Sequence, residues 1–159
     1  MEVIRNAYSA GHQIASHTWS HPDLNTLDAN AIRSQMTQLE NALVGIIGRY
    51  PTYMRPPYFS CGATCLGVME SLGYHVIISN LDTLDYQFDS PTEIWQSKSI
   101  FNNAISSTSG SSGTWLVLSH DVHAATVQEL AEYMIDTARA QGYRCTWNPR
   151  IFFAFGHWP

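Results

Sequence analysis

The stretch HQIASHTWSH, residues 12–21, places two histidines directly after an apolar segment, and so bears on both the fold and the chemistry. HQIAS is typical of a short strand, and His17 and His21 follow it four positions apart. Imidazoles at this spacing can face one point if the chain there makes about one helical turn, which would supply part of a zinc site. The alternative is a pair of polar residues in a surface turn, and the rest of the chain must decide between the two.

The composition excludes some classes of function. With 159 residues, 45% of them hydrophobic, the chain is long enough for one domain with a buried core. Only 13% of residues are charged, the net charge is −5, and Lys98 is the single lysine. Nucleic-acid binding requires clustered Lys and Arg, so we predict no nucleic-acid partner. No apolar run has the length of a transmembrane helix, so we predict no membrane partner either.

Strands and helices are predicted to alternate along the chain, because short β-branched runs are followed by apolar residues at helical spacing. The predicted strands are 12–16, 52–55, 74–79 and 114–119. The predicted helices are one that ends at Gly11, one capped by Asp28 and ended by Gly48, residues 63–72, one opened by Pro91, and residues 126–141. In the last helix, the residues predicted to face inward are Val127, Leu130, Met134 and Ala138. This alternation indicates parallel β/α units.

Ionisable residues end or follow each of the four predicted strands. In chain order they are His17 and His21, Arg55, Asp82 and Asp85, and His120 and Asp121. In a barrel of β/α units the C-terminal strand ends converge on one face, where active sites form. This placement favours the metal interpretation of the histidine pair.

Four motifs in order, SHTWSH, RPPY, DTLDY and LSH, resemble the polysaccharide deacetylases of family four of the carbohydrate esterases, the NodB-homology domain. Among them the sequence is most similar to fungal chitin deacetylases. The resemblance implies an α/β fold, a distorted (β/α) barrel. We assign residues 1–143 to this domain and residues 144–159 to a C-terminal tail that departs from the family's pattern.

The resemblance also implies roles for the ionisable residues. His17 and His21 would bind zinc or another divalent metal, and Arg55 would orient the catalytic base. His120 would be the general acid, held by Asp85, whose carboxylate favours the protonated imidazole. The alternatives are that Arg55 only bridges strand ends and that His120 is a buried core histidine.

The resemblance implies three substrate contacts as well. The backbone N–H of Tyr58 would face the developing oxyanion, and Leu118 would line the pocket for the acetate methyl. Tyr86 stands where the family usually has tryptophan, as an aromatic neighbour of the site. Asp82 and Asp85 could instead only cap a loop.

One motif of the family is missing. The first motif, Thr-Phe-Asp-Asp-Gly, carries the catalytic base and the third metal ligand, and no Asp-Asp pair occurs in the 159 residues. We therefore expect a barrel that is incomplete at its N-terminus, and a chain that is inactive or nearly so by itself. Pairing with a second copy, as a homodimer, is one way to cover the exposed barrel edge.

The three cysteines are Cys61, Cys65 and Cys145. The resemblance implies a secreted or cell-wall protein, where disulfides persist, so we expect a local Cys61–Cys65 disulfide. Three reduced thiols are the alternative, and the partner of Cys145 stays open. His123 and His157 are interpreted as surface residues.

The predicted function is metal-dependent N-deacetylation of chitin or N-acetylglucosamine oligomers. This is an amide hydrolysis that releases acetate. The rival interpretations are a catalytically dead domain that binds chitin oligomers and a zinc-stabilised structural fragment.

Overall fold

The structure is a computed structural model that describes residues 1–110, 112–144 and 152–154. The chain divides into two compact units, which are described separately below: Met1–Ile78 with Trp147–Pro159, and Ser79–Thr146. Cys145 and His157 lie outside the described residues, so the predictions for them stay predictions.

The first unit consists of parallel strands that alternate with helices. Its helices are α1 (Glu2–Ser9), α2 (Ala29–Ile47) and α3 (Ala63–Leu72). Its strands are β1 (Gln13–Ala15), β2 (Tyr53–Met54), β3 (His75–Val76) and β6 (Phe152–Ala154). β1 pairs in parallel with β6, and β2 pairs in parallel with β3. A single parallel bridge between Ser16 and Met54 connects the two pairs. The predicted tail therefore contributes a strand, β6.

Helix α2 forms as its sequence predicts. The Asp28 carboxylate accepts a hydrogen bond from the Ala31 N–H at 2.8 Å, and Gly48 ends the helix with φ 70°. The apolar residues at helical spacing are buried: Ile32, Met36, Leu39 and Leu43. They divide between two clusters, one against β2 and α3 and the other against α1 and β1. Helix α3 has the predicted bounds, followed by Gly73 with φ 75°.

In the residues that the structure describes, the second unit has one pair of strands and two α-helices. β4 (Leu81–Asp82) pairs in parallel with β5 (Val117–Leu118). Helix α4 (Trp95–Ser106) follows β4, and a π-helical turn (Thr126–Leu130) leads into α5 (Ala131–Ala140). The core between α4, α5 and the strands is built on Leu81, Phe101 and Ile105. In the described part of the chain, no helix has both the length and the apolarity to cross a membrane.

All four predicted strands are shorter than expected, and residues 74–79 and 114–119 each keep only two residues in a strand. Only His75 and Val76 of residues 74–79 pair with β2, and Ile78 is 63% exposed. The reason is the length of the partner, because the Ile77 N–H already bonds the carbonyl of Met54, the last residue of β2. The prediction of a buried strand through residue 79 was therefore wrong. Propensity favours extended backbone but does not supply a partner.

Two helix predictions are also corrected. The residues after Pro91 form turns, and the helix begins at Trp95 instead. Val127 was predicted to face inward but is 56% exposed, whereas Leu130 is fully buried. The π-helical turn explains the difference, because its wider i→i+5 spacing changes which residues face the core.

Candidate active-site residues

The two histidines of the opening stretch lie side by side in the first unit. After β1 the chain turns through Thr18 and His21, which have φ 68° and φ 56°. The Thr18 hydroxyl accepts a hydrogen bond from the His21 N–H at 3.0 Å, which closes this turn. The imidazole centroids of His17 and His21 are 4.7 Å apart, with an interplanar angle of 71°. The two rings are close enough for nitrogens of both to reach one ion, but the metal role stays a prediction.

The tautomer of His17 follows from its hydrogen bond. Its Nδ1 lies 2.6 Å from the Arg55 carbonyl oxygen. A carbonyl only accepts, so Nδ1 carries the proton and the ring lone pair of the neutral imidazole is on Nε2. Histidines that bind metals are commonly oriented in this way, with the second nitrogen donating to a carbonyl or carboxylate. The donor chemistry of His17 therefore suits a metal bound at Nε2.

A complete ligand set is not found among the described residues. Within 1–110, 112–144 and 152–154, no group of three or more His, Cys, Asp or Glu side chains is arranged to hold a metal ion. A catalytic zinc site ordinarily has three protein ligands and one open position. His17 and His21 thus fit two of the three ligands.

Arg55 and Tyr58 follow β2 in the same unit. Arg55 is 4% exposed, and burial lowers the pKa of its guanidinium. The Arg55 N–H donates to the Ser16 carbonyl at 2.9 Å, which fixes the end of β2 beside the histidine turn. Tyr58 is 70% exposed with φ 56°, and its ring meets the His21 ring edge-on at 4.8 Å. The first unit therefore brings together the two histidines, the backbone of Arg55 and the Tyr58 turn.

The second unit holds the predicted pair of Asp85 and His120. The Asp85 side chain is fully buried, and its Oδ1 lies 2.8 Å from His120 Nδ1. Its Oδ2 accepts from the His120 backbone N–H at 2.6 Å and from the Thr126 hydroxyl at 2.7 Å. The predicted contact is therefore present, and His120 is not turned into the core, because a third of its side chain is exposed. Nothing in the amino-acid sequence marks Thr126 as a partner of Asp85.

The charge on Asp85 is set by two opposing effects. Burial alone would raise the pKa of this carboxyl group. The hydrogen bonds from the His120 ring, the His120 backbone and Thr126 outweigh burial, so the pKa of Asp85 lies below its ordinary value. Asp85 is therefore an anion near neutral pH. Because this anion accepts from Nδ1–H, His120 presents Nε2 away from it.

The other predicted site residues of the second unit are Asp82, Tyr86 and Leu118. The Asp82 carboxylate accepts from the Leu84 N–H at 2.9 Å, so Asp82 caps its loop, as one alternative anticipated. Tyr86 is 45% exposed and its ring lies edge-on to the His120 ring at 5.4 Å. Leu118 is half-buried in β5, two residues before His120.

The second unit contains another aspartate–histidine pair, which was not predicted from the sequence. His123 was interpreted as a surface residue, but its Nδ1 lies 2.7 Å from Asp89 Oδ2 and only 24% of its side chain is exposed. Asp89 Oδ1 also accepts from the Ala125 N–H at 3.2 Å. The hydrogen bond from His123 is the main cause that lowers the pKa of Asp89. The two bonds of Asp89 anchor residues 123–125, which follow the predicted acid, and the His123 ring lies 5.9 Å from the His120 ring.

The structure contains the disulfide between Cys61 and Cys65, with Cα atoms 5.1 Å apart. It joins the turn after Tyr58 to helix α3, and Cys65 is buried in the core of the first unit. Its presence fits an oxidising compartment.

Comparison with known proteins shows which family the chain resembles. Residues 1–77 match the sequence model of the family described as polysaccharide deacetylase. The chain is 51% identical over 140 residues to a chitin deacetylase of a Pestalotiopsis species, covering 88% of this chain and 45% of the relative. It is 46% identical over 143 residues to a chitin deacetylase of Colletotrichum lindemuthianum, covering 90% of this chain and 57% of the relative.

A solved structure agrees with these relatives. The chitin deacetylase structure from Colletotrichum lindemuthianum matches with a TM-score of 0.85 and 46% identity, over 90% of this chain and 63% of that chain. Residues 1–77 therefore resemble the polysaccharide deacetylase family, and the fold class is the (β/α) barrel type of the deacetylase structure that matches most of the chain. The predictions of family and fold class are confirmed. The chain spans about half the length of the curated relatives it matches.

Proposed function

We propose that this chain is part of a metal-dependent deacetylase that hydrolyses the N-acetyl groups of chitin or N-acetylglucosamine oligomers and releases acetate. The observation that carries the proposal is the Asp85–His120 pair, in a chain 51% identical to a chitin deacetylase. Amide hydrolysis needs an acid for a poor leaving amine, and a histidine held by a buried carboxylate is suited to that task.

The second unit would supply the proton. His120 would protonate the leaving nitrogen from Nε2, because Nδ1 is occupied by Asp85. Asp85 would orient the ring and stabilise its charged form. Leu118 would contact the acetate methyl, and the exposed face of Tyr86 would contact the sugar.

The first unit would supply the electrostatic part. His17 and His21 would hold zinc or another divalent metal, which supplies Lewis-acid activation of the water and of the amide carbonyl when bound. Arg55 would orient a carboxylate base, and the Tyr58 N–H would donate to the oxygen that becomes negative in the transition state. We further propose that residues 1–143 are the part of the chain that belongs to the deacetylase domain.

The base and third ligand are not supplied by the residues described above. We therefore propose that they come from an Asp-Asp motif that these 159 residues do not contain. A domain that binds chitin oligomers without hydrolysing them is the alternative, and it would use the same exposed aromatic rings. The disulfide supports secretion, and a homodimer stays a prediction that sedimentation can test.

The test compares acetate release and binding in one preparation. The chain is joined to a segment carrying Thr-Phe-Asp-Asp-Gly and incubated with zinc and N-acetylglucosamine oligomers. If the protein is a deacetylase, it releases acetate, and a chelator abolishes this release. His120→Ala should then lower the rate of acetate release about 10²- to 10⁴-fold without loss of oligomer binding. Binding without acetate release in the unsubstituted protein supports the alternative function. A zinc-dependent thermal midpoint with neither binding nor release supports the structural role.

A further inference from the structure

Two loops of the first unit are joined by hydrogen bonds that the proposed catalytic roles do not use. The Ser60 hydroxyl donates to Asp23 Oδ1 at 2.5 Å, and the Gly62 N–H donates to Asn25 Oδ1 at 2.6 Å. Asp23 lies two residues after His21, and Ser60 lies two residues after Tyr58. We call these two bonds the clasp. It connects the loop of a predicted metal ligand to the loop of the predicted oxyanion donor.

The turn on one side of the clasp has an unfavourable backbone conformation. Tyr58 and its neighbour Phe59 both have left-handed φ values, 56° and 54°. Such conformations carry a steric cost for residues other than glycine, and they persist only where the surrounding structure enforces them. The N–H groups of Phe59 and Ser60 bond the carbonyls of Pro56 and Pro57, which closes the turn locally. The clasp fixes its far end.

The clasp rests on rigid structure. Leu24, between the two clasp residues of its loop, is 1% exposed and packs in the same cluster as Cys65. The disulfide attaches Cys61 to α3 directly after Ser60. At Gly62 a Cβ atom would lie 2.9 Å from Asn25 Oδ1, so a side chain there would displace the second bond. Both loops are therefore anchored to one core and to each other.

We propose that Asp23 and Ser60 are positioning residues, whose bond sets the contact between the His21 imidazole and the Tyr58 turn. The rings of His21 and Tyr58 touch edge-on at 4.8 Å, and both residues lie two positions from the clasp. The consequence for catalysis rests on the proposed function. The contact between the His21 and Tyr58 rings is independent of the proposed function, because both rings lie in the first unit.

The test breaks the bond between the loops and leaves the rest of the turn intact. Ser60→Ala removes the hydroxyl, whereas the Asn25 N–H still bonds Asp23 at 2.9 Å. In NMR spectra of the 159-residue chain, the cross-peaks between the His21 and Tyr58 ring protons are expected to be lost. Ser60→Thr keeps a hydroxyl and should restore them.

A matched control separates positioning from stability. Asp28 is also an aspartate cap, and its carboxylate bonds only the Ala31 N–H among the contacts described. Asp28→Ala should lower the thermal midpoint but keep the His21–Tyr58 cross-peaks. Asn25→Ala breaks the second bond of the clasp alone and provides a second test if Ser60→Ala folds poorly. The Asn25→Ala substitution should change the NMR chemical shifts of the His21 ring.

Unchanged cross-peaks in Ser60→Ala, with native dispersion of the core methyl signals, would overturn the proposal. Equal loss in the Asp28→Ala control would also overturn it, because a general loosening would then explain the effect. The measurement needs no turnover. A chain that releases no acetate can therefore still show the clasp, and failure of the proposed function is distinguishable from failure of this inference.

Discussion

Replacement of Asp85 by asparagine tests the arrangement of the acid directly. The native carboxylate receives three donors, with the His120 N–H and the Thr126 hydroxyl on Oδ2 and His120 Nδ1 on Oδ1. An amide has one acceptor oxygen and one donor group. Its oxygen can take the place of Oδ2 and keep two bonds, so its NH₂ must then face His120 Nδ1.

This arrangement reverses the tautomer of His120. Nδ1 must become the acceptor, and the proton of the neutral ring moves to Nε2. Asparagine also removes the negative charge that stabilises the imidazolium. In the complete enzyme we expect a loss of roughly 10²- to 10⁴-fold in kcat/KM, the range typical for losing a general acid or its orienting carboxylate.

The stability cost is also derivable from the contacts. One charge-assisted hydrogen bond is replaced and two lose their charge assistance, so we expect the free energy of unfolding to fall by about 1–3 kcal/mol. The pKa of Asp85 is lowered in the folded chain. Its contribution is therefore fully present above the unfolded-state pKa of about 3.9 and is lost as pH falls through the folded value. The difference between the two proteins should be largest near neutral pH and narrow below about pH 4.

Nitrogen-15 NMR of the His120 ring and urea unfolding across pH measure both effects. Asp121→Asn is the matched control, because Asp121 is exposed and directly follows His120. The control should preserve both the tautomer and the stability. If the Asp85→Asn protein keeps the proton on Nδ1, the assignment of Asp85 as the residue that orients His120 is refuted.

Three further predictions concern other contacts. His123→Ala should raise the pKa of Asp89 toward its ordinary value, which carboxyl carbon-13 titration measures; an unchanged value would contradict their pairing. Reduction of the Cys61–Cys65 disulfide should lower the free energy of unfolding by about 2 kcal/mol, since the closed loop is short, and calorimetry with and without reductant checks this. The 159-residue chain should release acetate at least about 10²-fold more slowly than the chain joined to Thr-Phe-Asp-Asp-Gly, and equal rates would mean that another base is present.

Helices α2 and α3 were predictable because their sequence information is local. Asp28 and Gly48 bound α2 by capping interactions within a few residues, and the buried stripe follows from a fixed helical period. The strand lengths were not predictable in the same way. β3 is limited by where β2 ends, and that limit belongs to a partner about 20 residues away in the sequence. Val127 failed for a third reason, because no pattern marks a π-helical turn.

The candidate site residues also differ in how far the sequence could predict them. His17, His21 and His120 could be selected from the sequence because acid and metal chemistry restrict the residue type. Thr126 and Asp89 could not, since threonine and aspartate are common in loops and only their contacts make them partners of the histidine segment.

The positioning role of Asp23 and Ser60 could not be recognised from the sequence. Each is an ordinary turn residue, and they lie 37 positions apart. Chemistry does not demand aspartate or serine at either position, because any short acceptor and donor of the right reach would serve. Ser60→Thr should therefore be silent while Ser60→Ala is not. Residue type thus identifies groups that react, whereas groups that position them are identified by the contact itself.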